Sequence, residues 1–249
     1  MELLKPSLYK FLALIVQRAN VPEHVAFVMD GNRRFAKHRN QRAASGHQAG
    51  YASLRSILEF CYTSGVKEVS VYAFSIENFK RSPEEIADLM DIADQRIRQI
   101  IQNNDIAFKY GVRIRIIGDK SLLPENLQKT IDEAEHLTKA NNKVHLNICM
   151  PYLARDDIVH AMRQVTKEGM KNKRLKVDSI DERTISEHMR TCHMRPLDLL
   201  VRTSGTNRLS DYLLWEITDD TAIHFTDKLW PEYTPLDLFQ SFIRLRLGE

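Results

Sequence analysis

Three cysteines, Cys61, Cys149 and Cys192, are too few and too scattered for a disulfide framework. No CxxC pair occurs among them, which argues against a structural zinc site. Reduced thiols in a cytosol-facing protein are the expectation. No run of about 18 apolar residues is present, so no segment is long enough to cross a bilayer as a helix. The net charge of +3 makes no case for nucleic acid as a partner. GxxxxGK[ST], GxGxxG and Gly-x-Ser-x-Gly are all missing, which disfavours the common nucleotide loops and the hydrolase elbow. There is no internal repeat, low-complexity tract or Pro/Gly/Ser linker.

What the chain does have is an ordinary globular composition, 43% apolar and 28% charged, over 249 residues. That length suits one α/β domain. Short apolar runs read as buried strands: "HVAFVMD" (24–30), "EVSVYAFS" (68–75), "VRIRIIGD" (112–119), "VHLNICMPY" (144–152) and "LDLLVRTSG" (197–205), with "AIHFTD" (222–227) as a sixth. Helical periodicity separates them at 46–63, 83 to about 104, 124–140 and 155–167. Ser82 and Pro83 mark a helix start. Alternation of this kind implies a mostly parallel central sheet of about six strands flanked by helices. Near the N-terminus "LYKFLALIVQRA" (8–19) reads as an amphipathic helix that docks on its own domain, lies on a membrane or lines an apolar ligand's exit. The expected division is a helix over 1–20 and a catalytic domain over 21–249.

In a parallel sheet, ligands bind at the carboxyl ends of the strands. Asp30, Ser75, Tyr152 and Arg202 stand at four such ends. In "FVMDGNRRFAKHRN" (27–40), Gly31 and Asn32 permit a sharp turn with exposed amides, and Arg33 and Arg34 suit phosphate oxygens. Asp30 would repel such an anion unless a cation lay between them, and Mg²⁺ fits a single carboxylate completed by phosphate and water. An aspartyl phosphatase would need a second carboxylate where Asn32 stands. Ser75, Glu77, Asn78 and Arg81 crowd a second stretch, where serine and asparagine also serve as helix caps. Arg202 and Arg208, with Ser204 and Ser210, suggest a second anion site, and hence two phosphorylated substrates. His47 is either structural or a further phosphate contact. "LWPEY" (229–233) reads as a rigid turn from which Glu232 reaches a rim arginine.

The stretches "MDGNRRFAK", "GHQAG", "YAFSIENFKR", "RTSGTNRLSDYLLW" and "LWPEY" together resemble the cis-prenyltransferases, and most closely the eukaryotic dehydrodolichyl diphosphate synthases. The resemblance runs from about residue 21 to about residue 239. It implies an undecaprenyl diphosphate synthase-like fold and an enzyme that extends farnesyl diphosphate with isopentenyl diphosphate, using Mg²⁺. The product would be a long-chain polyprenyl diphosphate for dolichol and protein glycosylation. By the same resemblance, Asp30 holds the metal, and Gly31, Asn32, Arg33, Arg34, His47 and Arg81 cradle the allylic diphosphate. Ser75 and Asn78 arrange proton removal, Glu77 belongs to the same stretch, and Phe35 and Phe79 flank the first isoprene units. Arg202, Arg208 and Ser210 bind isopentenyl diphosphate.

The chain departs from the family pattern at Ala43, Thr206 and Ala222. Members active alone carry an Arg-x-Gly tail that reaches into a partner's site; Arg246-Leu247-Gly248 has that form, at an unusually short spacing after "LWPEY". The implied assembly is therefore a homodimer or a heteromer with a homologous accessory subunit, peripheral on the cytosolic face of the endoplasmic reticulum membrane. The rival reading is a scaffold subunit of that assembly that has lost catalysis, but such a subunit usually lacks the aspartate and arginine set kept here.

Overall fold

A computed structural model describes residues 5–18, 21–102, 106–172 and 177–248. All six apolar runs become strands: β1 (His24–Val28), β2 (Glu68–Tyr72), β3 (Val112–Ile117), β4 (Val144–Cys149), β5 (Leu199–Arg202) and β6 (Ala222–Phe225). They form one sheet in the order β3-β4-β2-β1-β5-β6, and every pairing is parallel. Every residue of β1 is buried, as expected for a strand covered on both faces, where a continuous apolar run replaces alternation. Val28 pairs with Arg202 in the register with β5, which brings Asp30 beside the 202–205 turn.

Nine α-helices are described, besides short 3-10 turns such as Ile76–Lys80: α1 (Lys5–Gln17), α2 (Asn32–His38), α3 (Ala43–Ser64), α4 (Pro83–Ile100), α5 (Ile106–Tyr110), α6 (Glu125–Thr138), α7 (Ala154–Asn172), α8 (Glu182–His188) and α9 (Pro235–Leu247). One face of the sheet, with Phe27, Val71, Leu146 and Val201, packs on α3, α4, α6 and α9 in the larger core. Ala26, Val28 and Leu200 point the other way, toward Tyr152, Tyr212 and Leu213.

The structure trims several expectations. Each ladder stops two or three residues before its apolar run ends, because the chain bends away there: Gly31 and Gly118 take positive φ, 106° and 147°. These released segments are what build the rim. Helix α4 begins at the Ser82 cap as expected, with the Ser82 hydroxyl accepting from the Glu85 amide, but ends at Ile100; its expected end near 104 falls at residues 103–105, outside the described residues. Helix α9 was not legible from apolar spacing, although its start is marked by a reciprocal Thr234–Asp237 cap and Pro235.

Helix α1 buries Ala13 and Val16 and packs on α3 and α9. Leu8, Phe11, Leu14 and Ile15 stay exposed at 48%, 60%, 54% and 42%. The docking reading of this stretch describes one face, and the other face is an open apolar row. Among the described residues, no helix is long and apolar enough to cross a membrane.

Candidate active site

A cavity of about 700 Å³ opens at the carboxyl ends of the strands and runs between the sheet, α3 and α4. Its deep walls are apolar, with Leu54, Leu89, Ile97, Ile100, Leu146 and Ile148. Its mouth collects Asp30, Gly31, Asn32, Arg33, Arg34, His47, Ser75, Glu77, Asn78, Arg81, Arg202, Arg208 and Ser210. The structure thus brings together thirteen of the fifteen site residues expected from sequence. Phe35 and Phe79 are not among the lining residues. Phe35 is 6% exposed and lies under the Arg39 guanidinium, 4.1 Å from its ring centroid. Phe79 meets Phe74 edge-on at 5.0 Å, and Phe74 takes its place in the wall. Both phenylalanines follow polar residues on short helical turns, so the same turn that presents the polar group sends the ring inward.

Asp30 sits between two arginines. Its Oδ2 is 3.2 Å from Arg202 Nη2 and 3.7 Å from Arg34 Nη2, and Oδ1 accepts from the Gly31 amide at 2.7 Å. The backbone here is pinned from far along the chain: Thr203 Oγ1 donates to the Asp30 carbonyl at 2.8 Å, and the Trp230 amide does so at 2.9 Å. Close packing explains the two glycines of "GHQAG". A Cβ on Gly46 would lie 2.1 Å from the Asn32 carbonyl oxygen, and one on Gly50 would lie 2.2 Å from Asn32 Oδ1. Only glycine lets α3 approach the Asp30 turn this closely.

Arg33 and Arg81 share Glu85, at 3.5 Å and 2.8 Å. Glu85 was not foreseen as part of the site, although it stands four residues after Arg81, the spacing at which helical side chains meet. His47 is half-buried in the wall, and its Nε2 has no hydrogen-bond partner among the described residues. Burial, with Arg81 and Arg33 nearby, pushes its pKa below the ordinary value. That shift favours the neutral imidazole at pH 7, which can offer a hydrogen bond rather than charge.

Ser75 and Asn78 do form a reciprocal cap: Ser75 Oγ accepts from the Glu77 amide and Asn78 Oδ1 accepts from the Ser75 amide at 3.0 Å. The capping role and the place at the cavity coexist, because the cap uses the Asn78 oxygen and leaves the Nδ2 amide free of it. Glu77 pairs with Lys80.

Arg202 is 3% exposed. Besides Asp30, it donates from Nη1 to Ser210 Oγ at 2.7 Å and to the Arg208 carbonyl. Burial lowers its pKa and Asp30 opposes that; a guanidinium remains charged regardless. Arg202 is therefore a brace between the two halves of the mouth, while Arg208 is exposed at the opening. Arg34 is tied to the same region, donating from Nη1 to the Ser204 carbonyl at 2.9 Å and from Nη2 to Ser204 Oγ.

Two other expectations change. Tyr152 is 1% exposed and lies behind the mouth, and Leu153 and Arg155 reach the cavity instead. Glu232 is exposed and forms no ion pair with a rim arginine among the described residues. The useful residue of "LWPEY" is Trp230, whose Nε1 donates to the Gly50 carbonyl at 2.8 Å and locks α3 in place. Tyr72 and Asp211 also line the cavity and were not foreseen. Among the described residues, no cluster of three or more His, Cys, Asp or Glu side chains is arranged to hold a metal.

Comparison with known proteins agrees with this geometry. Residues 28–245 match the family model described as "Putative undecaprenyl diphosphate synthase". A dehydrodolichyl diphosphate synthase complex subunit of Schizosaccharomyces pombe is 41% identical over 93% of this chain and 88% of its own length. The human dehydrodolichyl diphosphate synthase complex subunit is 40% identical over 96% of this chain and 71% of its own length. Among solved structures, lavandulyl diphosphate synthase from Lavandula x intermedia, in complex with dimethylallyl diphosphate, superposes with a TM-score of 0.83 at 34% identity, covering 92% of this chain and 99% of that one. The chain belongs to the cis-prenyltransferase family and is a transferase of the prenyl diphosphate synthase type.

Proposed function

We propose that the protein extends farnesyl diphosphate by repeated cis addition of isopentenyl diphosphate, giving a long polyprenyl diphosphate of the dehydrodolichyl type for dolichol and protein glycosylation. The observation that carries this reading is the cavity itself, whose mouth holds two groups of anion donors on either side of Asp30 and whose interior is apolar. One group is Arg33, Arg34, His47, Arg81 and the Gly31–Asn32 turn, for the allylic diphosphate. The other is Arg202, Arg208 and Ser210, for isopentenyl diphosphate. Holding both substrates at one mouth removes the entropy cost of their encounter.

Asp30 suits Mg²⁺: it is one carboxylate, 37% exposed and faced by phosphate-binding groups, so substrate oxygens and water would complete the shell. When bound, the ion would offset the charge that develops on the departing diphosphate. The chain's own donors act on the same charge; one such donor is worth roughly 3–4 kcal/mol in comparable oxyanion sites. Ser75 and Asn78 orient the isopentenyl group for loss of its proton. The leaving diphosphate takes that proton, since among the described residues His47 is the one imidazole in the wall and its place is beside Arg33 and Arg81. The apolar walls then receive the lengthening chain, and their burial of each added unit favours elongation.

Two relatives are described as subunits of a dehydrodolichyl diphosphate synthase complex, which supports a homologous accessory subunit as partner. The open apolar row on α1, with Lys10 beside it, supports peripheral contact with the cytosolic face of the endoplasmic reticulum membrane. Radiolabelled isopentenyl diphosphate, farnesyl diphosphate and Mg²⁺, incubated with the protein alone and with the candidate partner, should yield extended products of defined size. Release of phosphate without chain growth in both incubations rejects the assignment.

A further inference from the structure

The turn that carries Ser210 is held in an unusual conformation. Ser210, Asp211 and Leu213, none of them glycine, have φ of 53°, 58° and 48°. Side chains other than glycine rarely adopt this region, and they persist there only when their surroundings impose it. The constraints can be named. The Ala154 amide donates to the Asp211 carbonyl at 2.9 Å. Arg155 holds the Asp211 carboxylate from its amide at 3.0 Å and from Nε at 2.7 Å. Arg202 holds Ser210 Oγ.

The remaining constraint comes from β2. Tyr72, its last residue, stacks on Tyr212 with centroids 4.5 Å apart and planes 10° from parallel. Both rings meet the edge of Tyr152, at 6.3 Å and 6.1 Å. The Tyr72 hydroxyl lies 3.2 Å from the Ser210 carbonyl and 3.2 Å from the Tyr152 carbonyl. A phenylalanine would satisfy the stacking and the burial. The hydroxyl is what reaches the backbone of the residue that Arg202 already grips.

We propose that Tyr72 is a positioning residue, whose hydroxyl fixes the Ser210 backbone and so aims Ser210 and Arg208 at the second diphosphate. The inference rests on the two-site reading above. It also links the two sides of the mouth, since Tyr72 lies three residues before Ser75, and Ser75 is bridged to Tyr152. Burial raises the Tyr72 pKa well above its ordinary value, with the Ser75 hydroxyl opposing, so the phenol remains a donor at any working pH and is no proton acceptor for the reaction.

The test is Tyr72→Phe beside Arg208→Ala, with KM measured separately for isopentenyl and farnesyl diphosphate, and with isopentenyl diphosphate binding followed by calorimetry without turnover. Tyr72→Phe should raise KM and Kd for isopentenyl diphosphate about three- to tenfold, leave the farnesyl KM within about twofold, and lower the thermal midpoint by no more than a few degrees, because one neutral hydrogen bond is lost and the ring stays. If Arg208→Ala raises the isopentenyl KM and Tyr72→Phe does not, the hydroxyl is structural and the proposal is overturned while the two-site reading stands. If neither variant raises it, the two-site reading itself fails. Equal loss for both substrates, or a Tyr72→Phe protein that does not fold, assigns the hydroxyl to general stability and also overturns the proposal.

Discussion

At the scale of single residues, the mouth is a set of charges that hold one another until a ligand arrives. Asp30 is flanked by Arg202 and Arg34, so replacing it with alanine removes the proposed metal ligand and strands a buried guanidinium at once. Asp30→Asn keeps an oxygen acceptor and is the cleaner change. Its turnover should fall more than about tenfold, a barrier increase above ~1.4 kcal/mol, with the fold retained by circular dichroism; smaller losses would show that Asp30 is no metal ligand. Arg208 and Arg202 should part company. Arg208→Ala, at an exposed position, should raise the KM for isopentenyl diphosphate and spare thermal stability. Arg202→Ala removes a brace that is 3% exposed, so it should also lower stability, by about 1–3 kcal/mol after allowing for the partial exposure of Asp30. Equal thermal midpoints for the two variants in scanning calorimetry would contradict this. The polar residues were legible in the sequence because strand ends in a parallel sheet converge on one rim. Phe35 and Phe79 were not, because the inward or outward direction of a ring on a one-turn helix is decided by packing against Arg39 or Phe74, which spacing does not encode.

At the scale of elements, β1 is tied to its surroundings by a buried imidazole. His24 is fully buried; its Nδ1 faces the Arg195 carbonyl at 2.8 Å and its Nε2 faces Ser70 Oγ at 2.7 Å. A carbonyl only accepts, so Nδ1 carries the proton and Nε2 accepts from Ser70. Burial lowers the His24 pKa, opposed first by Glu68. A base with a lowered folded pKa binds its proton more readily when unfolded, so its contribution is intact above its ordinary pKa near 6.5 and is lost as pH falls through and below that value. Urea midpoints of wild type and His24→Gln, measured at pH 7.5 and 5.5, should therefore converge on acidification; parallel pH dependences would show that His24 does not titrate with unfolding. Helix α1 offers a second test. Deleting residues before Val21 should reduce flotation with anionic liposomes, because the exposed Leu8, Phe11, Leu14 and Ile15 leave with it. Unchanged flotation would make α1 a packing helix alone. Strand existence was readable from the apolar runs, while the strands' order in the sheet was not. Strand ends were not either, because apolar residues such as Met29, Phe74 and Met150 continue three of the runs past their ladders to line the cavity instead.

At the scale of the whole molecule, Arg246-Leu247-Gly248 has a local explanation. Gly248 adopts φ 73° as the terminal cap of α9, with Arg246 exposed in the last turn. No α9 residue lines the cavity of the same chain, so any catalytic use of Arg246 requires a second subunit. If the motif is only a helix cap, the protein alone should be a weak catalyst, and an added homologous subunit should raise turnover by roughly 10²–10³-fold, the worth of one preset donor to a developing oxyanion. High activity of the protein alone that disappears in Arg246→Ala would instead establish a self-sufficient dimer. The sequence could not decide this, since an Arg-x-Gly end satisfies a helix terminus and a partner's site equally well. The order of the sheet has a consequence for synthesis. Strand β1 occupies the middle, yet its neighbour β5 is made more than 170 residues later. At ribosomal rates that delay is on the order of ten to thirty-five seconds, during which the apolar edge of "HVAFV" has no permanent neighbour on one side and Asp30 has neither Arg202 nor Trp230 to hold it. The nascent chain is thus most exposed to wrong pairing in its future centre, and chaperone depletion during translation should trap aggregates nucleated by β1 well before any variant at the finished site shows a defect.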